Sequence, residues 1–366
     1  MKRYLIIGLV LLIIGSFVLV PLLRNTSPDD IDTGFPATFK FEGNLGAKYG
    51  KASIPIAFDV NNDDIKTLEL IYNDSIFQTW RSPKKGSMSM VLDADYYGVG
   101  ARYLILRATM KDGNVEEDSR SIRVLSDISP KPLTAISVTT FPHNTANYTQ
   151  GFEFHNGELW ESTGNPGNTG ESVVGKIDLK SGQFITGGKK NALDATYFGE
   201  GITIFGDELF QLTWQNGKCF VYDKNTMQLK KDFTYVGEGW GLCNDGKSLI
   251  MSDGTERITF RDPKTFKPLR TIEVYDDQGP RISLNELEYI DGKIYANIYM
   301  TSLIVVIDPN TGRVLEQIDA TGLEAVGKMG GEVLNGIAYN PASKKLYLTG
   351  KYWGKIIEVQ FPISND

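Results

Sequence analysis

Read along its hydrophobic and polar positions, the chain falls into three stretches of different rhythm. From Tyr4 to Leu23 apolar residues run almost without interruption, preceded by Lys2 and Arg3. That length suits a bilayer core. It exceeds a typical signal-peptide core and has no small-residue cleavage site, so an uncleaved anchor is favoured over a cleaved signal. With the two basic residues held inside, the rest of the chain is exported. The polar "RNTSPDDIDTG" that follows reads as a tether, so residues 1–34 form an anchor or signal segment with its tether.

From residue 35 to 130 the rhythm changes to short alternating runs, among them "ATFKFEG", "ASIPIAFDV", "KTLELIYND", "GSMSMVLDA", "RYLILRATMKDG" and "SRSIRVLSD". Six or seven short strands separated by turn residues predict a small β-sandwich of immunoglobulin type. Tyr103 is a candidate corner tyrosine, with a plain core position the simpler expectation. No catalytic constellation stands out here, so a spacer or adhesion role is expected.

Residues 131–366 repeat themselves. "GELWEST", "DELFQLT", "GKSLIMSDG", "GKIYANIY" and "KKLYLTGK" share a turn, an aliphatic residue and a β run, and their aliphatic positions Leu159, Leu209, Leu249, Ile294 and Leu346 lie 50, 40, 45 and 52 residues apart. A further strand follows each, and the first four of these end in polar turns such as "DKNT" and "DPKT". Strand signals at such a period predict a β-propeller with four strands per blade, hence five blades. The fifth repeat lacks an outer strand, which "TAISVTTF" (134–141) could supply, latching the ring. The expected fold is therefore all-β: anchor, sandwich, five-bladed propeller.

Before each repeat lies another short segment: "TQGFEF", "GEGITIF", "GWGLCND", "NELEYI" and "NGIAYN". As innermost strands these would start at the mouth of the central channel. Glu200 would then face a funnel ringed by Gln150, Trp240, Asn285, Glu286 and Asn335. A carboxylate walled by Trp240 and Trp214 is partly desolvated, which raises its pKa and suits proton transfer. Gln150 and Asn285 can donate and accept, matching a substrate with an amine and an amide. Glu161, Ser162 and Asp253 read as turn residues.

Composition narrows the function classes. A formal net charge of −7 with no basic run argues against nucleic-acid binding. The two histidines, His143 and His155, have no zinc-ligand spacing, and no strong nucleophile accompanies Glu200. Cys219 and Cys243 are too few for a disulfide framework and read as small buried thiols, able to pair only if their strands adjoin.

From Tyr148 to Lys351 the chain resembles the plant and bacterial type of glutaminyl-peptide cyclotransferase, through "YTQGFEF", "LWESTG", "YFGEGIT", "LFQLTW", "GWGL", "SDGT", "LNELEYIDGKIYANIY", "VLNGIAY" and "LTGKYW". The resemblance implies a five-bladed propeller that converts N-terminal glutaminyl residues to pyroglutamyl with release of ammonia. Glu200 then matches the proton relay, and Gln150 and Asn285 match groups that hold the substrate's amide and amine. Trp214, Trp240 and Phe198 match its apolar walls. Lys351 matches a channel position, either polarising the oxyanion or, more simply, bridging to Glu286 or Glu288. Two aromatic positions depart from the family pattern: Tyr148 where Phe is common, and Tyr299 where Trp is common.

The resemblance implies no required cofactor, and no ligand set for a structural divalent cation is identifiable. Expected partners are peptides or proteins with N-terminal Gln and the membrane through residues 4–23. The expected setting is a bacterial envelope, with the chain acting as a monomer. The competing readings are a non-catalytic surface propeller binding peptides or glycans, and a propeller lyase acting on another small substrate.

Overall fold

The computed structural model describes residues 34–50, 53–168, 171–187 and 190–361. The expected anchor lies outside them; among the described residues no helix is long and apolar enough to cross a membrane. Among the described residues the architecture is all-β, with a single short α-helix at Thr321–Gly327.

Residues 37–125 form two sheets around one core. Strands Ala37–Phe39, Ser53–Val60 and Gly86–Asp93 make one sheet. Asn44–Lys48, Val115–Leu125, Gly100–Met110, Ile65–Tyr72 and Ser75–Arg81 make the other. Alternation decides which residues face inward: in Ser53–Val60, Ile54, Ile56, Phe58 and Val60 are buried and meet Leu68, Leu70, Leu104, Leu106 and Ile122. At about 1.5–3 kcal/mol for each large side chain buried, this layer is the main stabiliser of the region. Two strands, Asn44–Lys48 and Ser75–Arg81, are additional to those expected. Tyr103 is neither a corner nor a core residue: it falls on the outward face of Gly100–Met110 and is 65% exposed.

The rest of the described chain makes five further sheets, each beginning with one of the expected innermost strands. The first contains Tyr148–His155, Glu158–Gly164, Val173–Asp178 and Gln183–Phe184, and the second Gly199–Phe205, Glu208–Thr213, Lys218–Asp223 and Leu229–Thr234. The third contains Leu242–Asn244, Leu249–Ser252, Arg257–Arg261 and Pro268–Glu273. Leu284–Ile290, Lys293–Ile298, Leu303–Ile307 and Val314–Asp319 make the fourth, to which Lys131–Thr134 adds in parallel. The fifth contains Leu334–Asn340, Lys345–Gly350 and Lys355–Gln360. Its outer strand is Ile136–Pro142, paired antiparallel with Lys355–Gln360, so the chain's return strand lies where the incomplete repeat required one. The polar turns between third and fourth strands share one device: Asp178, Asp223, Asp262 and Asp308 each accept from a hydroxyl three residues on, Ser181, Thr226, Thr265 and Thr311.

The five leading strands touch in cyclic order, first to second through fifth and back to first. Glycines permit this closeness. A Cβ on Gly151 would lie 2.6 Å from the Ile202 nitrogen, and one on Gly201 would lie 2.5 Å from the Leu242 nitrogen. The same four leading strands that carry the acidic and amide residues also bulge there. Register shifts fall between Thr149 and Gly151, Gly199 and Ile202, Leu284 and Leu287, and Leu334 and Ile337. A bulge leaves its extra residue unpaired in the ladder and re-aims its side chain. In the first strand that residue is Gln150, and in the other three the bulge spans Glu200–Gly201, Asn285–Glu286 and Asn335–Gly336.

Glu161 does more than stabilise a turn. Fully buried, it accepts from His143 Nε2 at 3.0 Å, Asn147 Nδ2 at 2.7 Å and Thr149 Oγ1 at 2.7 Å, pinning the segment after the return strand to the first sheet. Burial disfavours the His143 imidazolium, but the Glu161 charge and hydrogen bond outweigh it and raise the His143 pKa. Ser162 is likewise an inter-sheet contact, accepting from Gln211 Nε2 at 3.0 Å, whereas Asp253 does cap a turn through Thr255. Cys219 and Cys243 are free and buried. The sandwich is fastened to the sheets by Arg102–Glu273 at 3.1 Å and Arg313–Asp127 at 3.0 Å.

Candidate active site

One end of the axis enclosed by the leading strands opens into a cavity of about 560 Å³. Its lining includes all nine expected site residues: Tyr148, Gln150, Phe198, Glu200, Trp214, Trp240, Asn285, Tyr299 and Lys351. Asn335 lies just behind, and Glu286 is elsewhere.

Glu200 is 4% exposed. Burial pushes its pKa well above the ordinary carboxylate range, Lys351 draws it back, and the Glu238 charge pushes it up again. Gln150 Nε2 donates to Glu200 Oε1 at 2.9 Å. Gln150 is itself held, because Asn335 Nδ2 donates to Gln150 Oε1 at 3.1 Å and to the Thr149 carbonyl at 2.9 Å. A row of two amides therefore orients the donor aimed at the carboxylate. Asn285 completes the floor: its Oδ1 is a buried acceptor with no partner among the described residues. A buried acceptor without a donor costs about 1–3 kcal/mol, which an incoming N–H would relieve.

Lys351 is 2% exposed, and burial lowers its pKa to about 8 against the raising influence of Glu200 and Glu332. Its ammonium sits 4.5 Å from the Tyr148 ring centroid and 4.7 Å from that of Tyr299. Cation–π attraction thus holds the charge where a desolvated lysine would otherwise neutralise. The expected bridge to Glu286 or Glu288 is not formed: among the described residues no ion pair joins them. Glu286 accepts from the Phe152 and Ile337 backbone nitrogens, and Glu288 from that of Tyr339. The two tyrosines that depart from the family pattern also bond to each other, and burial followed by the Tyr299 charge raises the Tyr148 pKa.

The apolar walls are built edge to face, Trp240 against Tyr299 at 5.4 Å and Phe198 against Trp214 at 5.7 Å. Glu238, absent from the expected set, accepts from the indoles of both tryptophans. Its signal was in the sequence, since "GEG" recurs at 237–239 after 199–201. Among the described residues no group of three His, Cys, Asp or Glu is arranged to hold a metal ion.

A buried carboxyl with a raised pKa, a nearby ammonium, oriented amides and an aromatic slot can move a proton for a substrate that brings its own nucleophile. The glutamine cyclotransferase family model matches residues 107–361. The chain belongs to the glutamine cyclotransferase family. This cyclotransferase match begins at Arg107, inside the sandwich, and so extends beyond the stretch from Tyr148 that carried the resemblance. A curated relative, the glutaminyl-peptide cyclotransferase of Arabidopsis thaliana, is 39% identical over 230 residues, covering 61% of this chain and 70% of the relative. Among solved structures, Myxococcus xanthus glutaminyl cyclase superposes with a TM-score of 0.59 at 36% identity, over 64% of this chain and 98% of that one. This member of the cyclotransferase family is accordingly an enzyme of the acyltransferase class.

Proposed function

We propose that the chain cyclises N-terminal glutaminyl residues of peptides, with Glu200 carrying the proton. The substrate's α-amine attacks its own side-chain amide carbon, forming the ring C–N bond. Glu200 takes the proton that nitrogen loses and passes it to the departing amide nitrogen. The C–N bond to that nitrogen breaks, leaving a pyroglutamyl peptide and ammonia. The observation that carries this reading is the Gln150–Glu200 hydrogen bond at the floor of an open cavity, beside a lysine that is not ion-paired with Glu200.

In the same reading, Gln150 and Asn285 hold the amide and amine of the substrate. Asn285 Oδ1 supplies the acceptor an amine needs, and Lys351 faces the oxyanion of the tetrahedral intermediate. Phe198, Trp214, Trp240, Tyr148 and Tyr299 form the slot for the side chain. We read the five sheets as blades of a β-propeller, supported by the cyclic contacts of the leading strands and by the return strand in the fifth. Residues 35–130 read as an immunoglobulin-like spacer, and 131–366 as the catalytic domain. Residues 4–23 read as an anchor that places both in a bacterial envelope.

The test is to incubate the full chain with Gln-initiated peptides and follow ammonia release and the matching loss of mass. Turnover by the parent with a large loss in Glu200→Gln supports the assignment. Equal rates would keep the reaction and remove Glu200 from its centre. A folded parent that binds such peptides without turnover would favour the non-catalytic binding propeller.

A further inference from the structure

We propose that Glu238 is the positioning residue that sets the aromatic slot, holding Trp214 and Trp240 as a pair of fixed walls through their indole N–H groups. The role in substrate recognition rests on the cyclisation reading above; the structural role does not.

Both carboxylate oxygens are engaged. Glu238 Oε2 accepts from Trp214 Nε1 at 2.8 Å and from Trp240 Nε1 at 2.9 Å, while Oε1 accepts from Gln215 Nε2 at 3.0 Å. One anion thereby ties the end of the second strand of sheet two to the start of sheet three, across the cavity mouth. Burial works against the Glu238 anion, but the bonds from Trp240, Gln215 and Trp214 outweigh it and hold its pKa below the usual range. Charge-assisted bonds of this kind are about twice as strong as neutral ones.

The walls need such a clamp. Trp214 is 37% exposed, too open for packing alone to fix its rotamer. The loop is shaped to deliver the carboxylate. Gly237 takes a φ of +91°, and Gly239 N donates to the Trp214 carbonyl at 3.0 Å. A Cβ on Gly239 would lie 3.0 Å from the Thr213 carbonyl oxygen and closer still to the Tyr235 hydroxyl. The side chain between the two glycines has little freedom but to reach back over the slot, and Val236, two residues earlier, is wholly in solvent. Glu238 touches neither reacting atom in the proposed mechanism; it positions the slot through the indoles, and its charge also raises the Glu200 pKa, an effect that E238A and E238Q remove equally.

The experiment compares E238A, E238Q and E238D in the full chain, reading kinetics on a Gln-initiated peptide and the indole N–H resonances of 15N-tryptophan-labelled protein. E238A and E238Q both remove the charge, so their difference reports hydrogen bonding alone. An amide oxygen in E238Q can still accept from both indoles, with Gln215 turning its amide to match. We expect two of the five tryptophan indole protons to shift upfield in E238A. Its kcat/KM should fall about tenfold to a hundredfold, mostly through KM, as expected for a displaced binding wall. E238Q should keep both resonances and lose less, while E238D, one methylene shorter, should keep one resonance at most. Unmoved resonances in E238A and E238D would overturn the clamp. Moved resonances with unaltered KM would overturn its role in recognition. If E238A does not fold, E238D decides both points. A parent that turns over no Gln-initiated peptide would sink the cyclisation reading, and the resonances would still decide the clamp.

Discussion

The two ends of the axis enclosed by the leading strands both bury carboxylates, yet they use them differently. At the open end Glu200 meets a side-chain amide, a neighbouring ammonium and a cavity. Away from it Glu153, Glu286 and Glu288 accept from backbone nitrogens of adjacent sheets: Ile204 to Glu153, Phe152 and Ile337 to Glu286, and Tyr339 to Glu288. All four have raised pKa values with burial as the leading cause. A perturbed pKa therefore does not separate chemistry from architecture here. The partner does. Backbone donors are fixed by the fold and spend the carboxylate on joining sheets, even though Glu153 and Glu288 also border a cavity of about 610 Å³, whereas a side-chain amide leaves Glu200 available to a substrate.

The sharpest way to break that contrast is to neutralise one carboxylate from each group. Glu200→Gln should lower kcat by about a hundredfold to ten-thousandfold, the usual range for losing a general acid–base, with an unchanged circular dichroism spectrum. Glu286→Gln should lower stability, because Phe152 N and Ile337 N each donate to a different Glu286 oxygen and an amide can accept only one of them, while kcat of the folded variant should stay within about threefold. A collapse of activity in both variants, each of them folded, would erase the distinction.

A second, smaller effect concerns Lys351. Its charge lowers the Glu200 pKa against burial, so Lys351→Met should move the acid limb of the kcat/KM profile to higher pH. At neutral pH the rate should fall about tenfold, on the order of 1.4 kcal/mol. In the parent the lysine itself loses its proton near pH 8, and the alkaline limb this creates should be absent from the variant. An unchanged profile would place Lys351 outside the proton economy of the site.

The backbone-bonded group should reveal itself in stability. Glu153 has its pKa raised from 4.5 to about 7, chiefly by burial. A carboxyl with a raised folded pKa contributes stability fully below its unfolded pKa, and that contribution is lost as pH rises through the folded value. The parent should therefore melt at lower temperature at pH 8 than at pH 5. Glu153→Gln should reduce the difference, with Glu200, Glu286 and Glu288 still contributing to it, and gain on the order of 1–3 kcal/mol at pH 8. Thermal melts of both proteins across that window check the sign, and a variant less stable than its parent at pH 8 would reverse it.

The smallest expected effect is at Tyr148. Tyr148→Phe keeps the ring and removes the hydroxyl that bonds to Tyr299. A loss of about 1 kcal/mol or less would appear as a change in kcat/KM of about fivefold at most. A larger loss would assign the hydroxyl a direct part in the reaction.

The repeat was legible because four of the five leading segments mark themselves with a glycine beside a polar or aromatic residue, and the fourth, "NELEYI", with Asn285 and Glu286 in the same place. Other features were not, for identifiable reasons. "NLGAK" alternates over only two apolar positions, Leu45 and Ala47, with a glycine between them, and "SIFQTWR" has no fully buried position. The bulges that free Gln150, Glu200, Asn285 and Asn335 are backbone events with no residue signature of their own. Glu286 was expected in the funnel because it neighbours Asn285, but across the bulge between Leu284 and Leu287 Asn285 lines the cavity while Glu286 accepts from the Phe152 and Ile337 backbone. Glu161 read as a turn residue because His143, one of its three partners, lies outside its own repeat.

The return strand has a consequence in time. Ile136–Pro142 pairs with Lys355–Gln360 across nearly the whole length of the part that forms the five sheets, and contacts so distant in sequence form slowly. During synthesis the earlier sheets emerge while their final neighbour is still missing. Tyr148 and Gln150 come from the first sheet, Lys351 from the fifth, and the cavity they share exists only once the last strand has docked. Catalytic competence should therefore arrive as a single late event rather than by degrees. A chain cut before Lys355 would carry every expected site residue and lack the strand that joins its two ends.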